Sequence, residues 1–441
     1  DIDVDETNAV TLTNITAANG SITVDAGGAI TVTSVVSSTD ADANDISLTT
    51  TSGDITVNTI TAGSVGDVNL TSAAAINDDG SAGTVITADV LTATAVGAMT
   101  LDTTVNSIDL TTSAAGNIDV DETNAVTLTN ITAADGSITV DAGGAIGVTS
   151  VVSSTDADAN DISLTTTVGD ITISTVTAGN IGDVNLASAA AINDDGSAGT
   201  VIAADILTAT AAGAMTLDTT ANSVDLTTSA AGDIDVDETN AVTLTNITAA
   251  DGSVTVDAGG AISATSVVSS TDADANDISL TTTSGDINVV TITAGSLGDV
   301  SLTSAAAIND DGTAATLITA EDLALRAATG IGSNDALDTV ISNLAFTNNT
   351  SGDVNISNTG GLTIASVDGI TSSNNTGGGV TLSATSPVTF AVDLTTPPTS
   401  RTLIDQVVAH YRAALPPAVR ERLQGAEWWV HSRQDRKGLG H

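Results

Sequence analysis

Acidic side chains at alternate positions are the first residues in this chain that could do chemistry. The run Asp40-Ala-Asp42-Ala-Asn44-Asp45 returns as Asp156-Ala-Asp158-Ala-Asn160-Asp161 and again as Asp272-Ala-Asp274-Ala-Asn276-Asp277. Oxygens at alternate positions of a turn can converge on one point, which is what a hard cation such as Ca2+ requires. The run matches the first half of a calcium loop but departs from the rest, because Asp161 stands where the loop needs Gly and Thr167 where it needs Glu. A polar turn between strands uses the same residue types. Two readings therefore stand side by side, a calcium site that stabilises the fold and a plain turn.

Other acids invite an enzymatic reading. Asp119-Val120-Asp121-Glu122 offers neighbouring carboxylates of the kind that cleave glycosidic bonds. Such a site is a single cleft with a base or cation beside it. Here the acids recur in every copy, and no His, Lys or Arg precedes Arg326. The expectation is a protein that is not an enzyme, with a carbohydrate-active site as the alternative. Asn193-Asp194-Asp195-Gly196, with copies beginning at Asn77 and Asn309, reads as a turn in which Asp-Gly supplies a positive φ. Thr-x-Thr pairs such as Thr11 with Thr13 and Thr208 with Thr210 suit an ice-binding ladder. Unequal segment lengths predict that such threonines drift from one turn of the chain to the next. The Asn-Ile-Thr sequons at Asn14, Asn130 and Asn246 matter only in a glycosylating host.

The elements that must position these residues are set by repetition. Residues 1–116 and 117–232 carry the same text with about fifteen substitutions, and a third copy begins at 233 and holds to about 312. A 116-residue period is the organising fact, and a period of this kind is sought before any other feature. Each copy divides into five pieces, in the second copy Gly116–Asp135, Gly136–Asn160, Asp161–Gly182, Asp183–Asp205 and Ile206–Ala231. Within them apolar and polar residues alternate, as in Ile138-Thr139-Val140 and Val184-Asn185-Leu186. Alternation of period two places Ile, Val and Leu on one face and Thr, Ser, Asn and Asp on the other. Short strands at this spacing, parted by Gly, Asn, Asp and Ser, predict an all-β parallel β-helix, a β-solenoid with one coil of about 23 residues per piece.

Composition supports the solenoid over a row of sandwich domains. Aromatic residues are 1% of the chain, and the first is Phe346. Small and β-branched side chains fill a thin core shared by stacked coils, whereas a sandwich core draws on large aromatic volume. Mean hydropathy is positive, so the acidity does not signal disorder. The net charge of −46, from 54 acids and 8 bases, excludes nucleic acid as a partner of the repeats, since nothing there neutralises phosphates. The chain has no Cys and no run of apolar residues long enough to span a membrane. It begins at Asp1 in mid-pattern and without Met, and is read as a piece of something longer, whose export its first residues do not settle.

Beyond Thr313 the text drifts but keeps its beat, as in Leu323-Ala324-Leu325, Val354-Asn355-Ile356 and Val380-Thr381-Leu382. The expected boundaries are repeats at 1–116, 117–232 and 233 to about 348, then divergent coils, with the solenoid ending by residue 396. About seventeen coils at roughly 4.8 Å each would make a rod on the order of 80 Å. Residues 397–441 form a separate tail, with Pro397-Pro398, both Trp, the only Tyr, all His and seven of the eight bases. Leu403, Ile404, Val407, Val408, Tyr411 and Leu415 fall at helical spacing and predict a helix. A short second helix follows over 418–423. The first helix is placed to cap the last coil or to open a foreign segment.

The alternation of Gly-Asp-Val-Asn-Leu coils with Ala-Ile-Asn-Asp-Asp-Gly turns, and the segment from Gly330 to Leu344, resemble filamentous-haemagglutinin-like adhesins over residues 1 to about 395. The resemblance implies a right-handed parallel β-helix, export with an outer-membrane secretion partner, and a place on the bacterial cell surface or in the secreted fraction. It implies an adhesive stalk whose partners are glycans or proteins of a host or neighbouring cell. The family's N-terminal secretion domain is not in this text. In the tail, Glu427-Trp-Trp-Val-His-Ser-Arg433 and Gly438-Leu-Gly-His441 resemble the approach to the iron-binding His of some 2-oxoglutarate oxygenases, but no His-x-Asp pair follows to complete an iron site.

Overall fold

The computed structural model describes residues 1–80, 85–197, 199, 201–313, 317–397, 402–406 and 429–430. They fall into two units, Asp1–Asn222 and Ser223–His441. Each is an all-β parallel β-solenoid.

In the first unit the strand Ile2–Glu6 pairs with Ile22–Ala26, which pairs with Ile46–Thr50, which pairs with Val68–Ser72. Buried and accessible positions alternate along each strand, so the period-two pattern of the sequence is the inside–outside pattern of the coil. One inward column runs Ile2, Ile22, Ile46, Val68, Leu91, Ile108, at sequence steps of 20, 24, 22, 23 and 17 residues. Turns absorb these unequal lengths while the strands stay in register. From Ile22 to Ile108 every member of the column is fully buried. Complete burial of an aliphatic side chain of this size is worth about 1.5–3 kcal/mol, and the column repeats that gain coil after coil.

A second column runs Val10, Ile30, Ile55, Ile76, Met99, Ile118, Ile138, Ile162, Val184, Leu207. Ile118 is the counterpart of Ile2 one repeat later, yet it stacks in the column of Val10. The 116-residue repeat is therefore five coils and a third, and the second copy sets its text on the next face of the solenoid. The expectation of one coil per piece fails at the fifth piece. In the first copy the corresponding residues make a coil of only 17 residues, Leu91 to Ile108, and then begin the next one. The physical reason is the strand Met99–Thr112, 14 residues long and without Gly or Pro. It passes from one face to another with no turn, pairing first with Ile118–Glu122 and then with residues of Val126–Ala133.

In the second unit an inward column runs Ile234, Val254, Ile278, Val300, Leu323, Leu344, Ile364. Phe346 stacks on Leu325 and is fully buried, the one aromatic side chain of the described core. Polar residues also enter this interior. Asn348 and Asn375 are both wholly buried, and Asn348 Nδ2 donates to Asn375 Oδ1 at 2.9 Å. Strands continue to Leu394–Thr395, which pairs with Ser373–Asn375.

The tail departs from expectation where it is described. Thr402–Gln406, which includes the residues expected to open a helix, is a strand in parallel register with Val380–Ala384. Its other edge pairs antiparallel with Trp429–Val430. The open edge left by Val380–Ala384 takes main-chain hydrogen bonds and so overrides the local helical pattern. Val407, Val408, Tyr411, Leu415, the expected second helix at 418–423 and the His-containing end lie outside the described residues.

Candidate functional site

The three acidic runs sit in loops between coils, and their oxygens are turned to the next coil. Asp40 Oδ1 accepts from Val65 N at 2.9 Å and its Oδ2 from Ser64 Oγ at 2.7 Å. Asp156 takes Asn180 N and Ile181 N, and Asp272 takes Ser296 N and Leu297 N. The hydroxyl of Ser64, the side-chain amide of Asn180 and the hydroxyl of Ser296 hold the carboxyls of Asp40, Asp156 and Asp272 below the ordinary range, helped by the same backbone donors. Each acid clamps a loop whose Gly63, Gly179 or Gly295 has positive φ and touches it so closely that a Cβ would stand 2.4–2.5 Å from the carboxylate.

The middle and last members of each run point elsewhere. Asn44 is buried, and its Nδ2 donates to Asn19 Oδ1 on the preceding coil at 3.0 Å and to Thr39 O at 2.9 Å. Asn160 and Asn276 do the same to Asp135 with Thr155 O and to Asp251 with Thr271 O. Asp45, Asp161 and Asp277 accept from the backbone N–H of Asp67, Asp183 and Asp299 one coil on. Asp42, Asp158 and Asp274 are exposed. Among the described residues no three carboxylates or imidazoles come together as a metal cluster.

What the coils do build is a ladder of acids at one corner. Asp67 Oδ1 accepts from Val90 N, and Asp89 Oδ1 from Asn106 Nδ2, so Asp45, Asp67 and Asp89 rise one per coil to a terminal Asn. The same ladder is Asp161, Asp183, Asp205 and Asn222 in the next copy, and Asp277, Asp299, Asp322 and Asn343 in the second unit. Two like charges one coil apart repel by roughly 1 kcal/mol in water and by more when partly desolvated. Burial first, then the neighbouring acids, pushes Asp67 and Asp183 above the ordinary carboxyl range. Asp299 is pushed up to about 6 by burial and by Asp322 and Asp277. The middle members, Asp67, Asp183 and Asp299, were not among the expected site residues. Their signal was present as an Asp returning 22 residues after Asp45, Asp161 and Asp277, which is one coil.

A second acid column, Asp102, Asp121 and Asp141, stands on an open groove of about 650 Å³ lined also by Glu122, Thr123 and Thr165. Asp102 and Asp119 are raised by burial and by neighbouring acids. Glu122 does not face Asp121. Strand alternation turns it inward, 3% exposed, where it accepts from Thr103 Oγ1 at 2.7 Å, Val105 N at 3.1 Å and Asn124 N at 3.0 Å. Burial raises its pKa against those hydrogen bonds. It is an internal cap for two backbone N–H groups, and the adjacent carboxylates of the sequence do not form a pair.

Threonines keep register as well. Thr49, Thr71, Thr94, Thr111 and Thr132 occupy one outward column over five successive coils, while the position two before each is Ser47, Asn69, Thr92, Asp109 and Asn130. The Thr-x-Thr pair therefore changes from coil to coil within the strands, as the unequal segment lengths predict. No helix among the described residues is long and apolar enough to cross a membrane. Set against family models, curated proteins and solved structures, the chain matches none.

Proposed function

We propose that the chain is a structural and adhesive stalk of a secreted or surface-exposed bacterial protein. Its polar faces would meet glycans or proteins of a neighbouring surface. The observation that carries this reading is the unbroken outward column Thr11, Thr31, Thr56, Asn77, Thr100, Asp119, Thr139, Ser163, Asn185, Thr208. A face of hydroxyls, amides and carboxylates repeated at coil spacing offers many weak hydrogen bonds, and such bonds gain strength by multiplicity. Strong acidity keeps such stalks apart from one another. Beads coated with residues 1–396 should attach to bacterial or epithelial surfaces more than beads coated with an unrelated acidic protein. Equal attachment would sink the reading.

A second reading is favoured by the threonine column at Thr49 to Thr132, whose regular hydroxyl and methyl spacing suits an ice surface. Thermal hysteresis that disappears in Thr94→Lys would support it. Freezing without hysteresis at high protein concentration would end it.

A further inference from the structure

Asn19 differs from its own counterparts in a way that bears on reactivity. It is followed by Gly20, the only Asn-Gly pair in the chain, and it stands where the other copies carry Asp135 and Asp251. Its side chain is exposed. Gly20 has φ 135, has no side chain of its own and is buried against Asp1, and among the described residues its N–H has no hydrogen-bond partner. The amide of Asn44 donates to Asn19 Oδ1 at 3.0 Å, and Asn44 is itself buried and fixed by Thr39 O at 2.9 Å. A donor held against a carbonyl oxygen stabilises the negative charge that appears there when the carbon is attacked.

We infer that Asn19 is a self-deamidation site, assisted by Asn44, whose product is the acid that the second and third copies already carry. The Gly20 nitrogen, having lost its proton to hydroxide, attacks Asn19 Cγ and closes a cyclic imide. The Cγ–Nδ2 bond breaks, and ammonia leaves with a proton from water. Water then opens the imide, giving aspartate if the new Cγ–N bond breaks and its isomer if the main-chain carbonyl bond breaks. One water is consumed and one ammonia released, with no change of oxidation state. The fold accepts the aspartate without rearrangement, because Asn160 and Asn276 already donate to Asp135 and Asp251 at 2.9 and 2.8 Å.

The test holds the folded chain in warm, mildly alkaline buffer beside an unfolded peptide spanning residues 13–26, and follows each residue by fragmentation mass spectrometry. Residue 19 should convert in the folded chain at least as fast as in the peptide. Asn44→Ala should slow it about fivefold, the rate counterpart of one net hydrogen bond. Asn160→Ala removes the same structural bond in the second copy and should leave residue 19 converting at the parental rate. The Asn19→Asp variant should melt at or above the parent, since a charged acceptor strengthens the bond from Asn44. The inference is overturned if residue 19 stays an amide while the peptide converts, or if the Asn44 and Asn160 variants convert it equally.

Discussion

The duplicated coils and the divergent coils close their outer faces in opposite ways. In the duplicated coils the outward columns are Thr, Ser, Asn and Asp, open to water, as at Thr49 to Thr132. In the divergent coils Ala324 and Ala345 stand on the outside and are wholly buried, because the loop carrying Val367 and Ile370 lies over them. Arg326, the only base before the tail, holds that loop down through Asp368 Oδ2 at 2.7 Å and a second bond to the Asp368 carbonyl. Asp368 is the only non-glycine with positive φ among the described residues. Inside, the contrast runs the other way, since Phe346 supplies in one residue what several small aliphatics supply elsewhere. Repetition fixes many small, equal contacts; divergence concentrates the contacts in a few residues.

That contrast is sharpest at the core. Phe346→Ala should cost about 4 kcal/mol, whereas Ile138→Val in a duplicated coil should cost about 1 kcal/mol. Urea unfolding of the full chain, with hydrogen exchange to locate the change, measures both. Equal losses would remove the claim that the divergent coils lean on one side chain.

Close approach between coils gives the next effect. An added Cβ at Gly143 would stand 2.0 Å from Thr123 O, so Gly143→Ala should destabilise by roughly 2 kcal/mol. At Gly147, four residues on, an added Cβ would meet only Thr127 Oγ1 at 3.8 Å, an ordinary contact, and the first copy carries Thr31 there. Gly147→Thr should instead stabilise by about 0.5–1 kcal/mol, through lost unfolded-state freedom and strand propensity. If both variants lose stability, the outward columns are not interchangeable between copies.

The acid ladders predict the response to pH. Asp67, Asp183 and Asp299 have raised folded pKa values, so their contribution is fully present below the unfolded value near 4 and is lost as pH rises through the folded value, about 6 for Asp299. The lowered Asp40, Asp156 and Asp272 act oppositely, and their contribution disappears only as pH falls below the ordinary carboxyl range. The melting temperature should therefore rise from pH 7 to about 5 and fall at lower pH. Added Mg2+ and Ca2+ should raise it alike by screening the ladders. A rise specific to Ca2+ that vanishes in Asp42→Asn, Asp158→Asn and Asp274→Asn together would instead reveal calcium sites at the three loops.

The smallest effect belongs to the latch. Arg326→Ala removes a half-exposed ion pair and should cost at most about 1 kcal/mol overall. Exchange at Val367 to Ile370 should nevertheless quicken while the duplicated coils stay unchanged. Unaltered exchange there would show that the loop holds without its cation.

Fold class was legible because it rests on local alternation. Ile138-Thr139-Val140 says which side chains go inside whatever lies next to it, and scarce aromatics make a thin stacked core the natural use of those residues. The acidic runs were visible too, but their direction was not. Spacing alone does not show that Asp40 reaches Val65 N across the coil boundary, and Glu122 reads as the neighbour of Asp121 until the strand turns it inward.

The sequence by itself determined the strands, their inward faces and the order of the copies, because these depend on residues two apart and on exact repetition. Only the tertiary structure decided how the repeat meets the coil. A period of 116 residues closes after five and a third turns because Met99–Thr112 rounds a corner without a break, and no local signal marks that corner. It also decided which acids stand together. Asp45, Asp67 and Asp89 are a coil apart in sequence and neighbours only in the stack, where parallel register converts a spacing of about 22 residues into a single step along the solenoid.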